Sequence, residues 1–332
     1  MTIDPISFRA LQAVESTTGN FELQLITRTP GELKDDEILI RVHYSSLNYK
    51  DALSAAGNRG VTKNYPHIPG IDASGVVQAT NSREFAMGDE VLITGFDFGM
   101  NTDGGFAEYI IAPAAWVLKL PEGLSLRTAM IYGTAGFTAG LSVAALIRNG
   151  VDPEDGLVAV SGATGGVGSV AVAILSKLGY NVAAISSKDA AKYLASIGAT
   201  EIIPRKDMED HSGKVLLKPR FAAAVDTVGG DVLATLIKSL AYGGVVTTCG
   251  MVNGGDLHTT VFPFILKGVQ LVGIDSVSLP LEKRLPVWRK LAKDWMPDKF
   301  GEMVTEIGLE DIAGNLKAML NGEATGRKLV RL

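Results

Sequence analysis

The chain has 332 residues, 46% of them hydrophobic and 20% charged, with 38 glycines and a formal net charge of −5. That length is enough for two packed cores, the composition is that of an ordinary folded enzyme, and the negative balance excludes the basic footprint of a nucleic-acid binder. One cysteine, Cys249, excludes an intramolecular disulfide and a four-cysteine zinc site. The opening Met1-Thr2-Ile3-Asp4-Pro5 has no basic segment leading into an apolar core, and no run of about 18 uninterrupted apolar residues exists. A cytoplasmic location without a membrane span is therefore expected.

Residues 8–120 read as β-rich. Phe8–Val14 and Phe21–Arg28 are strand candidates around Thr18-Gly19-Asn20, and Glu37–Ser46 alternates through Ile38, Ile40, Val42 and Tyr44. Gly70–Ala79, Glu90–Thr94 and Phe106–Ile111 follow, and this spacing suggests a barrel-like β domain. Beyond Leu124 the pattern turns helical, from Ser125 or Leu126 to Met130 and again over Thr138–Asn149. Strands and helices then alternate: Leu157–Val160, Val167–Leu178, Asn181–Ile185, Ala190–Ser196, Glu201–Ile203, Ala222–Asp226, Val232–Leu240, Gly244–Cys249 and Val269–Gly273. That order predicts a doubly wound parallel sheet of about six strands. Glu282–Trp295 is helical again, with Trp288 and Trp295 on one face, and Lys328–Leu332 is strand-like. The expected fold class is α/β, divided as 1–125, 126–279, and a tail 280–332 that returns to the first domain.

The stretch Gly156–Gly179 sets a continuous apolar strand, Leu157–Val160, before Ser161-Gly162-Ala163-Thr164-Gly165-Gly166-Val167-Gly168 and a small-residue helix. A pyrophosphate needs bare backbone N–H groups in front of a helix N-terminus, and glycines supply that approach. Gly162 and Gly165 are three apart, so the loop is not a literal G-x-G-x-x-G, and an ordinary βα turn is the plainer alternative. The surrounding alternation favours a dinucleotide. The second strand runs into Ser186-Ser187-Lys188, and Arg205 follows the third. Two hydroxyls and two cations suit a 2′-phosphate, where an NAD binder would place an acid. Asp189 lies close, and solvated surface charges are the competing explanation, but the cluster points to NADPH.

Three further segments carry a specific resemblance together with the glycine loop: Ser45-Ser46-Leu47-Asn48-Tyr49-Lys50-Asp51, Ile68-Pro69-Gly70-Ile71-Asp72-Ala73-Ser74-Gly75, and Gly133–Ala139. Together they resemble the medium-chain dehydrogenase/reductase superfamily, in its zinc-free quinone-oxidoreductase-like branch. Within that branch the chain is similar to the YhdH/AcuI-type, NADPH-dependent acryloyl-CoA reductases, nearly end to end. The resemblance implies a GroES-like β-rich domain plus a Rossmann domain, an active site in the cleft between them, and a homodimer. The zinc members of the superfamily hold their metal with two cysteines and a histidine; here Asn48, Ile71 and Thr134 (or Ala135) stand at those places, so no metal is expected.

Without a metal to stabilise an alkoxide, conjugate reduction is the expected chemistry: hydride adds to a β carbon, and hydrogen-bond donors hold the resulting enolate. The donors nearest the matching positions are Tyr49 and Lys50, with Asn48 and Asp51 orienting them. Tyr49 also stands to touch the cofactor. The resemblance implies further cofactor contacts at Thr164, Gly165, Gly166 and Val167, at Ser186, Ser187, Lys188 and Arg205, and at Met251, Ile265, Ser276 and Asn315. Arg59, Lys63, Arg327 and Lys328 are candidates for coenzyme A phosphates. The four histidines show no metal spacing, and Cys249 reads as an inert thiol. The expected substrate is a small molecule, a short 2-enoyl-CoA or, in the alternative, a quinone or enone. A non-catalytic NADPH-binding protein is the remaining reading.

Overall fold

The alternating segment Glu37–Ser46 is the strand on which the N-terminal half is built. A computed structural model describes residues 6–332. In chain order its elements begin with β1 (Phe8–Glu15), β2 (Phe21–Arg28), β3 (Glu37–Ser46), α1 (Tyr49–Ala55), β4 (Asp72–Thr80), β5 (Glu90–Thr94), β6 (Tyr109–Pro113) and β7 (Leu118–Lys119). The helix α2 (Leu126–Arg148) leads into β8 (Leu157–Ser161), α3 (Gly166–Lys177), β9 (Asn181–Ser186), α4 (Ala191–Ser196) and β10 (Glu201–Pro204). Then come β11 (Phe221–Asp226), α5 (Gly230–Ser239), β12 (Leu240–Thr248), α6 (Phe262–Lys267) and β13 (Gln270–Gly273). The chain closes with α7 (Leu281–Leu291), β14 (Val304–Ile307), α8 (Ile312–Leu320) and β15 (Arg327–Arg331).

Contacts divide the chain into two units. The first holds Met1–Thr134, Val277–Ala292 and Val304–Leu332; the second holds Ala135–Ser276 and Lys293–Met303. The division therefore falls inside α2 instead of at 125/126, because that helix breaks at Gly133 (φ 51, ψ −157). The tail 280–332 is shared: 293–303 belongs to the second unit. The helix expected over Glu282–Trp295 stops at Leu291, so Trp288 and Trp295, both buried, do not share a helix face. By composition α2 is long and apolar enough to cross a bilayer, yet 83% of its most apolar window is buried in protein, as in a core helix.

In the first unit, β1 and β2 form an antiparallel hairpin, and a seven-stranded sheet runs β14-β15-β3-β4-β5-β7 with β6 also paired to β3. Irregularities between Leu39 and Ile40 and between Val42 and Tyr44 bend the β3–β4 ladder. The inward residues of this curved sheet, among them Ile38, Ile40, Val42, Val77 and Val91, make its core. The last strand, β15, pairs antiparallel with β3, and α8 packs against α1.

In the second unit all six strands are parallel, in the order β10-β9-β8-β11-β12-β13. The order reverses at β8, and ligands bind such sheets beyond the carboxyl ends of the strands at that switch point. The inner strands β8, β9 and β11 are largely buried and rich in Val, Ala and Ile, as strands covered on both faces require, while the edge strands β10 and β13 stay partly exposed.

Candidate active site

The turn from β3 into α1 carries all four residues expected to be catalytic. Asn48 is extended (φ −131, ψ 158) and caps α1, whose first three residues are Tyr49, Lys50 and Asp51. Asp51 Oδ2 accepts the Asn48 N–H at 2.7 Å, and Oδ1 accepts the Ile71 N–H at 2.9 Å. The carboxyl thus ties the start of α1 to the approach of β4. It is fully buried, and burial first, then the neighbouring charge of Asp72, pushes it up to about 7 against the lowering effect of those N–H bonds. Tyr49 is 45% exposed, the most accessible large side chain of the turn.

The centre of this cluster is a residue not singled out from the sequence. Asp72, buried at the first position of β4, accepts Ser46 Oγ at 2.5 Å, Asn48 Nδ2 at 2.7 Å and Thr134 Oγ1 at 2.6 Å. The Thr134 N–H reaches both carboxylate oxygens, at 2.9 and 3.0 Å. The buried guanidinium of Arg327 completes the network: Nη2 donates to Ser46 Oγ at 2.8 Å, Nε to the Ile131 carbonyl at 2.8 Å and Nη1 to the Leu47 carbonyl at 3.2 Å. A charged residue inside the otherwise uncharged run Ile68–Val77 was the available signal, since a buried carboxylate must be paired.

This geometry settles what the three positions matching zinc ligands do. Both amide hydrogens of Asn48 are directed inward, to Asp72 and, at 3.4 Å, to the Ser46 carbonyl. The Thr134 hydroxyl donates to Asp72, and Ile71 offers only hydrocarbon. The residues do not fit the zinc of the superfamily. Among the described residues no group of three or more His, Cys, Asp or Glu is placed to hold a metal ion.

In the second unit the glycine loop leaves β8 at Ser161 and enters α3 with Gly165 as its cap. A Cβ on Gly168 would lie 2.3 Å from the Gly162 carbonyl oxygen, so the loop closes onto the helix only without a side chain there. Gly165, Gly166 and Val167 remain partly exposed at the helix start, and Thr164 is buried with Oγ1 3.4 Å from Ser186 Oγ. Ser186 Oγ accepts the Lys188 N–H at 3.0 Å, which folds the Ser186–Lys188 turn. The β9–β10 register sets Pro204 beside Ser186, so Arg205 follows at the same sheet edge as Ser187 and Lys188. Partial burial lowers the Lys188 ammonium, and Arg205 pairs with Glu209 at 3.6 Å. A cradle at a helix start with two cations at the next strand ends fits a dinucleotide bearing a 2′-phosphate.

Met251 and Ile265 lie open to solvent, while Ser276 is buried and accepts Thr138 Oγ1 at 2.8 Å. Burial pushes the Cys249 thiol up to about 12, which keeps it protonated and unreactive. Asn315 sits on α8 in the first unit, its Nδ2 donating to the Asp311 carbonyl at 2.9 Å. Of the coenzyme A candidates, Arg327 is corrected: it is buried and committed to the Asp72 network, so it faces no phosphate at a surface. Arg59 lies over the rings of Phe21 and Tyr65 and pairs with Glu15 at 2.5 Å.

Comparison with known proteins agrees with both units. Residues 34–122 match the alcohol dehydrogenase GroES-like domain, and residues 166–293 match the zinc-binding dehydrogenase family. The acrylyl-CoA reductase AcuI of Ruegeria pomeroyi is 42% identical over 90% of this chain and 91% of its own. The crystal structure of the yhdH oxidoreductase from Salmonella enterica in complex with NADP is similar with a TM-score of 0.94 and 44% identity, covering 98% of this chain and 99% of that one. The structure of the Bacillus subtilis protein yhfP with NAD bound gives 0.95 and 45%, over 98% and 100%. On its fold, its two matched domains and these full-length relatives, the chain belongs to the medium-chain dehydrogenase/reductase superfamily.

Proposed function

We propose that this protein reduces the C=C bond of a short 2-enoyl thioester at the expense of NADPH, with acryloyl-CoA going to propionyl-CoA as the specific reaction. The observation that carries the reading is the closed Asp72 network. It takes up the donors of Asn48 and Thr134, and Tyr49, 45% exposed, is the donor of that turn most open to a substrate. The 42% identical acrylyl-CoA reductase supports the thioester class, and the NADP-bound relative supports the cofactor.

NADPH held by the second unit would supply the hydride for the β carbon; the π electrons of the C=C bond would then pass into the thioester enolate, and a proton at the α carbon would complete the saturated thioester. The chain's own groups hold and direct this change. The Tyr49 phenol and the Lys50 ammonium donate hydrogen bonds to the thioester oxygen as charge develops there, and either donor has a proton to give. Asp51 fixes α1 through the Asn48 and Ile71 N–H groups, which sets the direction of both donors. Thr164–Val167 receive the pyrophosphate, and Ser186, Ser187, Lys188 and Arg205 receive the 2′-phosphate. Met251, Ile265 and Ser276 line the nicotinamide side, and Asn315 is part of the same cofactor set.

A panel of acryloyl-CoA, crotonyl-CoA and quinones with NADPH oxidation as the readout tests the proposal. A far higher kcat/KM for acryloyl-CoA supports it, and equal or faster turnover of quinones transfers the activity to that class. Tight NADPH binding with no turnover on any acceptor identifies a binding protein. The proposal includes a homodimer and a cytoplasmic location. The edge strand β13 has one neighbour, and α6, which packs against β12, leaves Phe262 and Leu266 exposed, an apolar surface suited to a second copy. Light scattering after size exclusion measures the mass.

A further inference from the structure

Asp226 is a fully buried carboxylate that neither the cofactor contacts nor the enolate chemistry uses. It ends β11, the strand between β8 and β12. Four donors converge on it. Ser161 Oγ reaches Oδ1 at 2.7 Å and the Val228 N–H reaches the same oxygen at 3.3 Å. The Gly229 N–H at 3.0 Å and Thr248 Oγ1 at 3.1 Å reach Oδ2. Ser161 and Thr248 are the last residues of β8 and β12. The carboxylate therefore joins the carboxyl ends of three adjacent strands, and the segments that leave two of those ends are Gly162–Val167 and Cys249–Met251.

The backbone ladder does not do this by itself. Between β8 and β11 the last paired residues are Val160 and Val225, so Ser161 departs beyond the end of that ladder. The side chains take over from there. Ser161 Oγ donates to Asp226 and accepts the Thr227 N–H at 2.9 Å, while Thr227 Oγ1 donates to the Ser161 carbonyl at 2.9 Å. Thr227 in turn fills the space beside Gly162, whose φ is +60 and where a Cβ would lie 2.3 Å from Thr227 Oγ1. On the other side the Cys249 N–H donates to the Asp226 carbonyl at 3.1 Å. Burying a carboxylate is costly, and an aliphatic side chain would fill the volume without desolvating a charge. What an aliphatic side chain lacks is the ability to fix four donors, two from neighbouring strands and two from the turn after β11, at set distances.

We infer that Asp226 is a positioning residue for the cofactor: it fixes the exit of the glycine loop and the exit of the Cys249–Met251 segment relative to each other, so that both receive the dinucleotide without rearranging. The inference rests on the NADPH reading above. Pre-set loops raise affinity by removing the ordering cost of binding, so their loss appears in cofactor affinity.

The test is fluorescence titration of NADPH into the wild type, Asp226→Asn, Ser161→Ala and Thr248→Val, with melting temperatures and steady-state kinetics alongside. Asp226→Asn turns an N–H donor toward the Gly229 N–H or the Thr248 hydroxyl. It is expected to raise the NADPH dissociation constant at least about fivefold, and Ser161→Ala and Thr248→Val at least about twofold each. The KM for NADPH rises with it, while kcat at saturating NADPH stays within about threefold. Tyr180→Phe is the control for destabilisation alone, since it removes the 2.7 Å bond to the Val151 carbonyl at the opposite, amino end of the sheet. It lowers the melting temperature and leaves the dissociation constant unchanged. Wild-type affinity retained by Asp226→Asn and Ser161→Ala despite a lower melting temperature overturns the inference, as does an equal loss of affinity in Tyr180→Phe. A wild type that does not bind NADPH overturns the cofactor reading itself, and the inference with it.

Discussion

Asp51 and Asp72 lie in one buried cluster but are held by different partners. Asp72 collects three side-chain donors and a backbone N–H, with Arg327 one hydroxyl away, whereas Asp51 has two backbone N–H groups and is pushed up to about 7. A folded-state value above the unfolded one means that the native protein binds the extra proton between the two. Asp51 therefore makes stability fall as pH rises from about 4 to about 7, with a slope of at most about 1.4 kcal/mol per pH unit, and flat above. Urea unfolding at pH 5, 6, 7 and 8 is expected to show that fall, and Asp51→Asn to flatten it. Equal slopes in both proteins would remove Asp51 as the source. At the neighbouring positions, Tyr49→Phe and Lys50→Met are expected to lower kcat/KM for acryloyl-CoA by roughly 10- to 100-fold each. Unchanged turnover and cofactor affinity would take them out of the site. Charge reversal of Lys188 and Arg205 together is expected to collapse the preference for NADPH over NADH, read as the ratio of the two KM values, because a carboxylate repels the 2′-phosphate.

Among the elements, α2 shows a break that the local pattern places but does not explain. The helical pattern reads as two pieces, Ser125–Met130 and Thr138–Asn149, and Leu126–Arg148 is two helical stretches joined at the non-helical Gly133. The break has a reason at the cluster. With φ at 51°, Gly133 turns the Thr134 N–H onto Asp72, and a Cβ at Gly133 would lie 2.3 Å from Asp72 Oδ2, 2.4 Å from Ser46 Oγ and 2.8 Å from Arg327 Nη2. Gly133→Ala is expected to destabilise the protein by about 2–4 kcal/mol, from backbone strain plus displacement of buried polar groups. A change below about 1 kcal/mol in denaturant unfolding would show that the cluster yields. The glycine loop, by contrast, was legible: its strand, turn and helix are consecutive, and a buried parallel strand leaves a continuous apolar run. The short elements β14 and α8 were not legible, because Val304–Ile307 is too brief to show a period and Ile312–Leu320 is interrupted by Gly314 and Asn315.

At the scale of the whole chain, the C-terminal return to the first unit is anchored by a buried arginine. Arg284 on α7 donates to the carbonyls of Leu279 at 2.6 Å, Thr94 at 2.7 Å and Val277 at 2.6 Å, and lies 4.3 Å from the centroid of the Phe96 ring. Arg284→Met keeps most of the aliphatic volume but strips donors from three carbonyls, and is expected to cost about 3 kcal/mol in urea unfolding. A loss below about 1 kcal/mol would mean that other groups take those bonds. The sequence by itself determined the class of the molecule. Period-2 alternation marked the curved sheet, the apolar run with its glycine turn marked the nucleotide unit, and Asn48, Ile71 and Thr134 offered no thiolate or imidazole. Such features are local, because burial imprints its period on a few consecutive residues. Only the tertiary structure decided the rest. Arg327 meets Ser46 across 281 positions, Thr134 meets Asp72 across 62 and Ser161 meets Asp226 across 65. These bonds depend on which strands become neighbours, and that pairing is settled by packing of the whole chain.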